Sequence, residues 1–198
     1  MGTEAGLNGV TREDVASHWG RCAVPGGSII AVAGGVEADT VEAEFNRLLS
    51  GWAGSAAGVA YAGTGVRGYE HLESETEQTH IAVMHDAPAE GSADAVLERL
   101  AVAVLSGGMS GRLFTEVREK RGLCYAVSAG YATAREYGRV VSYSGTTPER
   151  AQETLDVLVG ELRRINTPEG AVTAEELERA TIGLKSKLVM SGESTSAR

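Results

Sequence analysis

Residues 110–131 read SGRLFTEVREKRGLCYAVSAGY, and their periodicity changes once. From Ser110 to Arg121 the apolar residues Leu113, Phe114 and Val117 recur at helical spacing. Gly122 then stands where a left-handed helix C-cap is expected. From Leu123 the period is two: Leu123, Tyr125, Val127, Ala129 and Tyr131 share one face, opposite Cys124, Ala126, Ser128 and Gly130. A second strand is predicted over Gly138–Gly145, with Val141 and Tyr143 on one face. The short link between the two predicts an antiparallel hairpin.

Upstream, Ala93–Leu105 carries Val96, Leu97, Leu100, Val104 and Leu105 on one helical stripe, and Glu77–His85 reads as a strand. In that strand Ile81 and Val83 alternate with Ala82 and Met84, which predicts cover on both faces. Residues 51–75, rich in Gly, Ala and Ser, read as a long surface connection. Ala38–Leu49 has helical spacing, the apolar run Ser28–Gly34 predicts a buried strand, and Thr11 with Asp14 opens a helix to about Trp19. Downstream, Thr147-Pro148-Glu149 starts a helix with the stripe Ala151, Leu155, Leu158, Val159, Leu162 and Ile165. Thr173 and Glu176 form a capping box for another helix, carrying Leu177, Ala180, Thr181, Leu184 and Leu188. The fold class is α+β: a two-layer sandwich, a mixed, largely antiparallel sheet with helices on one face. Residues 1–20 read as a connecting segment and first helix. Residues 21–198 read as one domain, expected to be truncated at its C-terminus because the last helix has no stop signal.

The 198 residues carry a net charge of -9, which argues against a nucleic-acid or anionic-membrane partner. Cys22 and Cys124 are far apart and suit two free thiols in a reducing compartment. No apolar stretch approaches the roughly 20 residues of a membrane helix. The N-terminus lacks a signal-peptide pattern, so the expected location is cytoplasmic.

The candidate chemistry is sparse. His18, His71, His80 and His85 fall in neither zinc motif that places two imidazoles and a carboxylate on one helix face, so no metal site is expected. His80 and His85 would point to opposite faces of their strand. Gly107 and Gly108 lack the Gly-Lys-Ser/Thr ending of a phosphate loop. They read as a break between helices or as a loop contacting peptide backbone. Arg118 lies on the flank of the apolar stripe, and Tyr125 follows just beyond the helix–strand turn. Taken alone they are a solvated helix charge and a half-buried strand aromatic. If they converge, a guanidinium and a phenol offer donors to carbonyl or oxyanion oxygens.

The stretch Gly107–Tyr125 closely resembles a segment of the insulinase/pitrilysin family of zinc metallopeptidases, which includes the mitochondrial processing peptidases. Glu77-Gln78-Thr79-His80-Ile81 resembles that family's second-domain strand opening. Val172–Ala180 and Ser191–Ser194 resemble its closing helices, and Val10–Asp14 its passage into that domain. The resemblance implies a zinc-free second domain of processing-peptidase-like fold. It faces a homologous domain or subunit that carries zinc on an inverted His-x-x-Glu-His motif. It further implies that Arg118 and Tyr125 hold the peptide substrate and its developing oxyanion, with Gly107 and Gly108 as a possible peptide-contacting loop. The chain alone is then expected to hold no cofactor, to hydrolyse no peptide, and to self-associate as a possible homodimer. The alternatives are a non-enzymatic scaffold or regulatory subunit of this fold, and a small-ligand binder using the Gly107–Gly108 loop.

Overall fold

Side-chain caps set several of the helix starts. In the computed structural model, which describes residues 3–55 and 67–193, Thr11 and Asp14 cap α2 (Arg12–Cys22) reciprocally, and Thr173 and Glu176 do the same for α6 (Ala174–Gly192). The other elements are α1 (Glu4–Gly9), α3 (Ala38–Leu48), β1 (Thr79–Ala87), α4 (Ala95–Ser106), a π-helix (Phe114–Glu119), β2 (Ala126–Thr133), β3 (Gly138–Thr146), a 3-10 turn (Pro148–Arg150) and α5 (Ala151–Arg164). The chain divides into two compact units, one running through Glu70 and a larger one from His71.

In the N-terminal unit α1 is an addition to the expected elements, and Ser28–Gly34 is not a strand. A strand needs a partner to satisfy its backbone. Among the described residues this run has none, the isolated bridge of Gly26 with Ser55 lying before it, and Ile29 is 93% exposed. Part of the expected 51–75 connection, residues 56–66, lies outside the described residues; the described remainder carries no regular element.

The larger unit is built on an antiparallel sheet in the order β1-β3-β2. In β3, Val140, Ser142, Ser144 and Thr146 are buried beneath the helices, so the face of Val141 and Tyr143 is the more open one. Small side chains here let α5 and the π-helix approach the sheet. In β1, Ile81 and Val83 point to the core while His80, Ala82 and Met84 face outward. Within this unit the expectation of cover on both faces therefore fails: Met84 on the outward face is 58% exposed, and the core clusters lie on the other face. Leu105, Leu113 and Leu158 form one core cluster, and Val117, Leu123 and Cys124 a second. The buried line of α5 runs through Thr154, Leu158 and Glu161, rotated from the expected apolar stripe because two polar residues find partners inside. On α6 Ala180 is buried and Leu188 is exposed. None of the helices described is long and apolar enough to cross a membrane.

Candidate functional site

The helix predicted over Ser110–Arg121 is π-helical from Phe114 to Glu119, with the Lys120 amide donating to the Thr115 carbonyl five residues back. Such widened turns recur at functional positions. This one carries Arg118. The segment ends in a Schellman motif: Gly122 sits at φ +61°, its amide donates to the Arg118 carbonyl, and the Leu123 amide donates to the Val117 carbonyl, both at 3.0 Å. Leu123 and Val117 supply the hydrophobic contact of that motif. Arg121 donates to the Glu116 carbonyl and, with Lys120, to its carboxylate. The Lys120 ammonium foremost, then the Arg121 guanidinium, hold the Glu116 carboxyl below its ordinary range.

After this cap the expected alternation breaks. Leu123 and Cys124 are both buried, and Tyr125, assigned by period to the face of Val127, is 82% exposed. The reason lies in the backbone. The Leu123 carbonyl is drawn inward to accept from the hydroxyls of Thr146 (2.5 Å) and Thr154 (3.3 Å). The regular strand begins only at Ala126, although the Tyr125 amide still donates to the Gly145 carbonyl at 3.0 Å. Tyr125 is turned out toward the helix, where the Arg118 guanidinium lies 5.5 Å from its ring centroid and 4.9 Å from that of Phe114. Such contacts contribute about 0.5–1 kcal/mol each at exposed sites. Cation–π contacts of this kind use the charge of the guanidinium without consuming its N–H donors. Among the described residues no carboxylate pairs with Arg118. The structure thus brings the two residues singled out in the sequence into contact, with both of them exposed.

A cleft of about 300 Å³ opens beside Tyr125, with Gln78, Tyr143, Gly145, Thr147 and Arg150 in its lining. Sequence reasoning missed these residues, since they come together only through the β1–β3 pairing of His80 with Gly145. The Tyr143 hydroxyl and His80 Nδ1 share a hydrogen bond at 2.8 Å, and their rings stack. Gly107 and Gly108 have a steric reason to be glycine. A Cβ on Gly107 would lie 2.2 Å from the Ala103 carbonyl oxygen, and Gly108 has φ +118°. They form the tight exit from α4, upstream of the π-helix.

Arg112, also passed over in the sequence, is 8% exposed. It donates to both carboxylate oxygens of Glu176 at 2.7 Å and to the carbonyls of Gly170 and Ala171. The guanidinium, foremost, brings the Glu176 carboxyl down to about 2 against the penalty of its burial. This pair fastens the start of α6 to the segment before the π-helix. Among the described residues no three His, Cys, Asp or Glu side chains gather to hold a metal ion, so those residues do not fit zinc.

Residues 9–184 match the profile described as Peptidase M16 inactive domain. An uncharacterized zinc protease of Rickettsia felis is 30% identical over 199 residues, covering 98% of this chain and 46% of that protein. The chain thus spans about half the length of the curated relatives it matches. Two solved structures share the fold. The peptidase M16 inactive domain from Pseudomonas fluorescens has a TM-score of 0.81 at 23% identity, covering 93% of this chain and 45% of that one. A protease from Helicobacter pylori has a TM-score of 0.83 at 18% identity, covering 99% and 49%.

Proposed function

Given that the chain belongs to the peptidase M16 family, as its inactive domain, we propose that it is the substrate-handling half of a zinc metalloendopeptidase. In this reading a homologous domain or subunit carries the zinc, and Arg118 and Tyr125 face it across the peptide. The observation that carries the reading is the cation–π pair itself: an exposed phenol held against a guanidinium that has no carboxylate partner among the described residues. The scaffold of Gly122, Leu123, Thr146 and Thr154 turns Tyr125 outward at the cost of regular strand alternation.

The Arg118 edge suits a peptide carbonyl, and the Tyr125 hydroxyl suits the oxygen on which negative charge develops. A donor aimed at that charge binds the transition state more tightly than the ground state, so it raises turnover as well as affinity. The test is Tyr125→Phe in the complete, zinc-bearing enzyme, which removes the hydroxyl and keeps the ring over Arg118. Turnover is expected to fall roughly a hundred- to thousandfold, the usual loss for one such donor, with zinc content unchanged. Arg118→Ala should weaken peptide affinity as well. Near-normal turnover of Tyr125→Phe would return Tyr125 to an ordinary surface aromatic and favour a scaffold or regulatory subunit.

A further inference from the structure

We propose that the cleft beside Tyr125 is a subsite for a peptide carboxylate, with Arg150 as its specificity-determining residue. The proposal rests on the peptide-handling reading above and deepens it. Its volume, about 300 Å³, is at the small end of ligand pockets and suits one side chain or chain end. Of the residues that line it, Arg150 alone is charged, in a chain whose net charge is -9.

The Arg150 guanidinium is anchored by one N–H donated at 2.5 Å to the carbonyl of Gly122, the glycine of the Schellman motif after the π-helix. Among the described residues its remaining donors meet no carboxylate. The neighbouring Glu149 does not line the cleft, and its carboxyl is held low first by the Thr147 hydroxyl and only lastly by the charge of Arg150. A fixed guanidinium edge with free donors fits a carboxylate better than any neutral group.

The rest of the cleft is neutral and braced. The hydrogen bond to His80 fixes the Tyr143 wall. Gly145 keeps the floor open, because a Cβ there would lie 3.0 Å from the Tyr143 hydroxyl oxygen. Gln78 and Thr147 add uncharged polar groups at the rim. Tyr125 lines this cleft and also stacks on Arg118. A peptide held by that pair would therefore pass a side chain or its C-terminus directly over Arg150.

The test uses the isotope-labelled chain and three acetylated alanine peptides: one amidated, one amidated with a central Asp, and one with a free C-terminal carboxylate. Amide resonances of Gly145 and Thr147 are followed through each titration. One or both carboxylate peptides should bind roughly tenfold more tightly than the neutral one, the scale of one charge-assisted hydrogen bond. Which of the two does so identifies the acidic side chain or the chain end as the source. Arg150→Gln, which can still donate to Gly122, should abolish the difference while the rest of the spectrum is retained. Equal binding of all three peptides at the cleft would overturn the carboxylate subsite and leave peptide handling standing. Failure of every peptide to shift these resonances would overturn the subsite too, while the Tyr125→Phe experiment would judge the broader reading separately.

Discussion

Replacing Glu176 by Gln removes one charge and almost no volume. The native carboxyl sits at about 2 against an ordinary 4.5, mainly through the two bonds from Arg112. That difference, at about 1.4 kcal/mol per unit, corresponds to about 3 kcal/mol of stability. The sign follows from proton binding. Because the folded pKa is lowered, the contribution is fully present above about 4.5 and is lost as pH falls through about 2. The Gln variant should therefore be less stable by about 3 kcal/mol at pH 7. Its thermal midpoint should lie on the order of 10 °C lower. The gap to the wild type should narrow below about pH 4.5 and close near pH 2. Urea titrations followed by far-UV circular dichroism measure this. Tryptophan fluorescence would not, since Trp19 and Trp52 belong to the other unit. A loss under about 0.5 kcal/mol at pH 7, within the range of ordinary surface changes, would refute the reasoning. So would a gap that stays constant into acid.

Three further outcomes are expected. Among the described residues Ser142 Oγ, which is buried, meets no hydrogen-bond partner; Ser142→Ala should leave urea stability unchanged or raise it by up to about 1 kcal/mol, and a clear loss would reveal a partner. Leu158, fully buried against Leu105 and Leu113, should cost about 2–5 kcal/mol when cut to Ala, measured the same way. The purified chain should retain no stoichiometric zinc on dialysis by metal analysis, because its described residues offer no three-ligand cluster; one tightly held ion per chain would contradict this.

Much of the larger unit was legible because its signals are local. The capping box of α6, the glycine cap at Gly122 and the strand β3 stand where spacing placed them, and β2 begins three residues later than its alternation suggested. The apolar run Ser28–Gly34 misled because burial on both faces is a property of neighbours, which composition cannot supply. Tyr125 was placed on the wrong side because strand period assumes a regular backbone, and the pull of Thr146 and Thr154 on the Leu123 carbonyl is invisible until the sheet is assembled. The π-helical turn under Arg118 likewise left no mark in the apolar stripe. The cleft around Arg150 and the Arg112–Glu176 pair join positions far apart in sequence, and no local spacing reports such contacts.

The middle place of β3 bears on the order in which the chain folds. Its pairing with β2 closes across a short link, an event on the order of microseconds for a hairpin. Its pairing with β1 must first close the long loop from Ala87 to Gly138, which holds α4, the π-helix and β2. The hairpin is therefore the natural nucleus and β1 the late arrival. Destabilising substitutions at Val140 or Ala129 should slow folding, whereas those at Ile81 or Val83 should chiefly hasten unfolding. Until β1 docks, the free edge of β3 stays open to intermolecular pairing, and loss of this chain to aggregates would begin there.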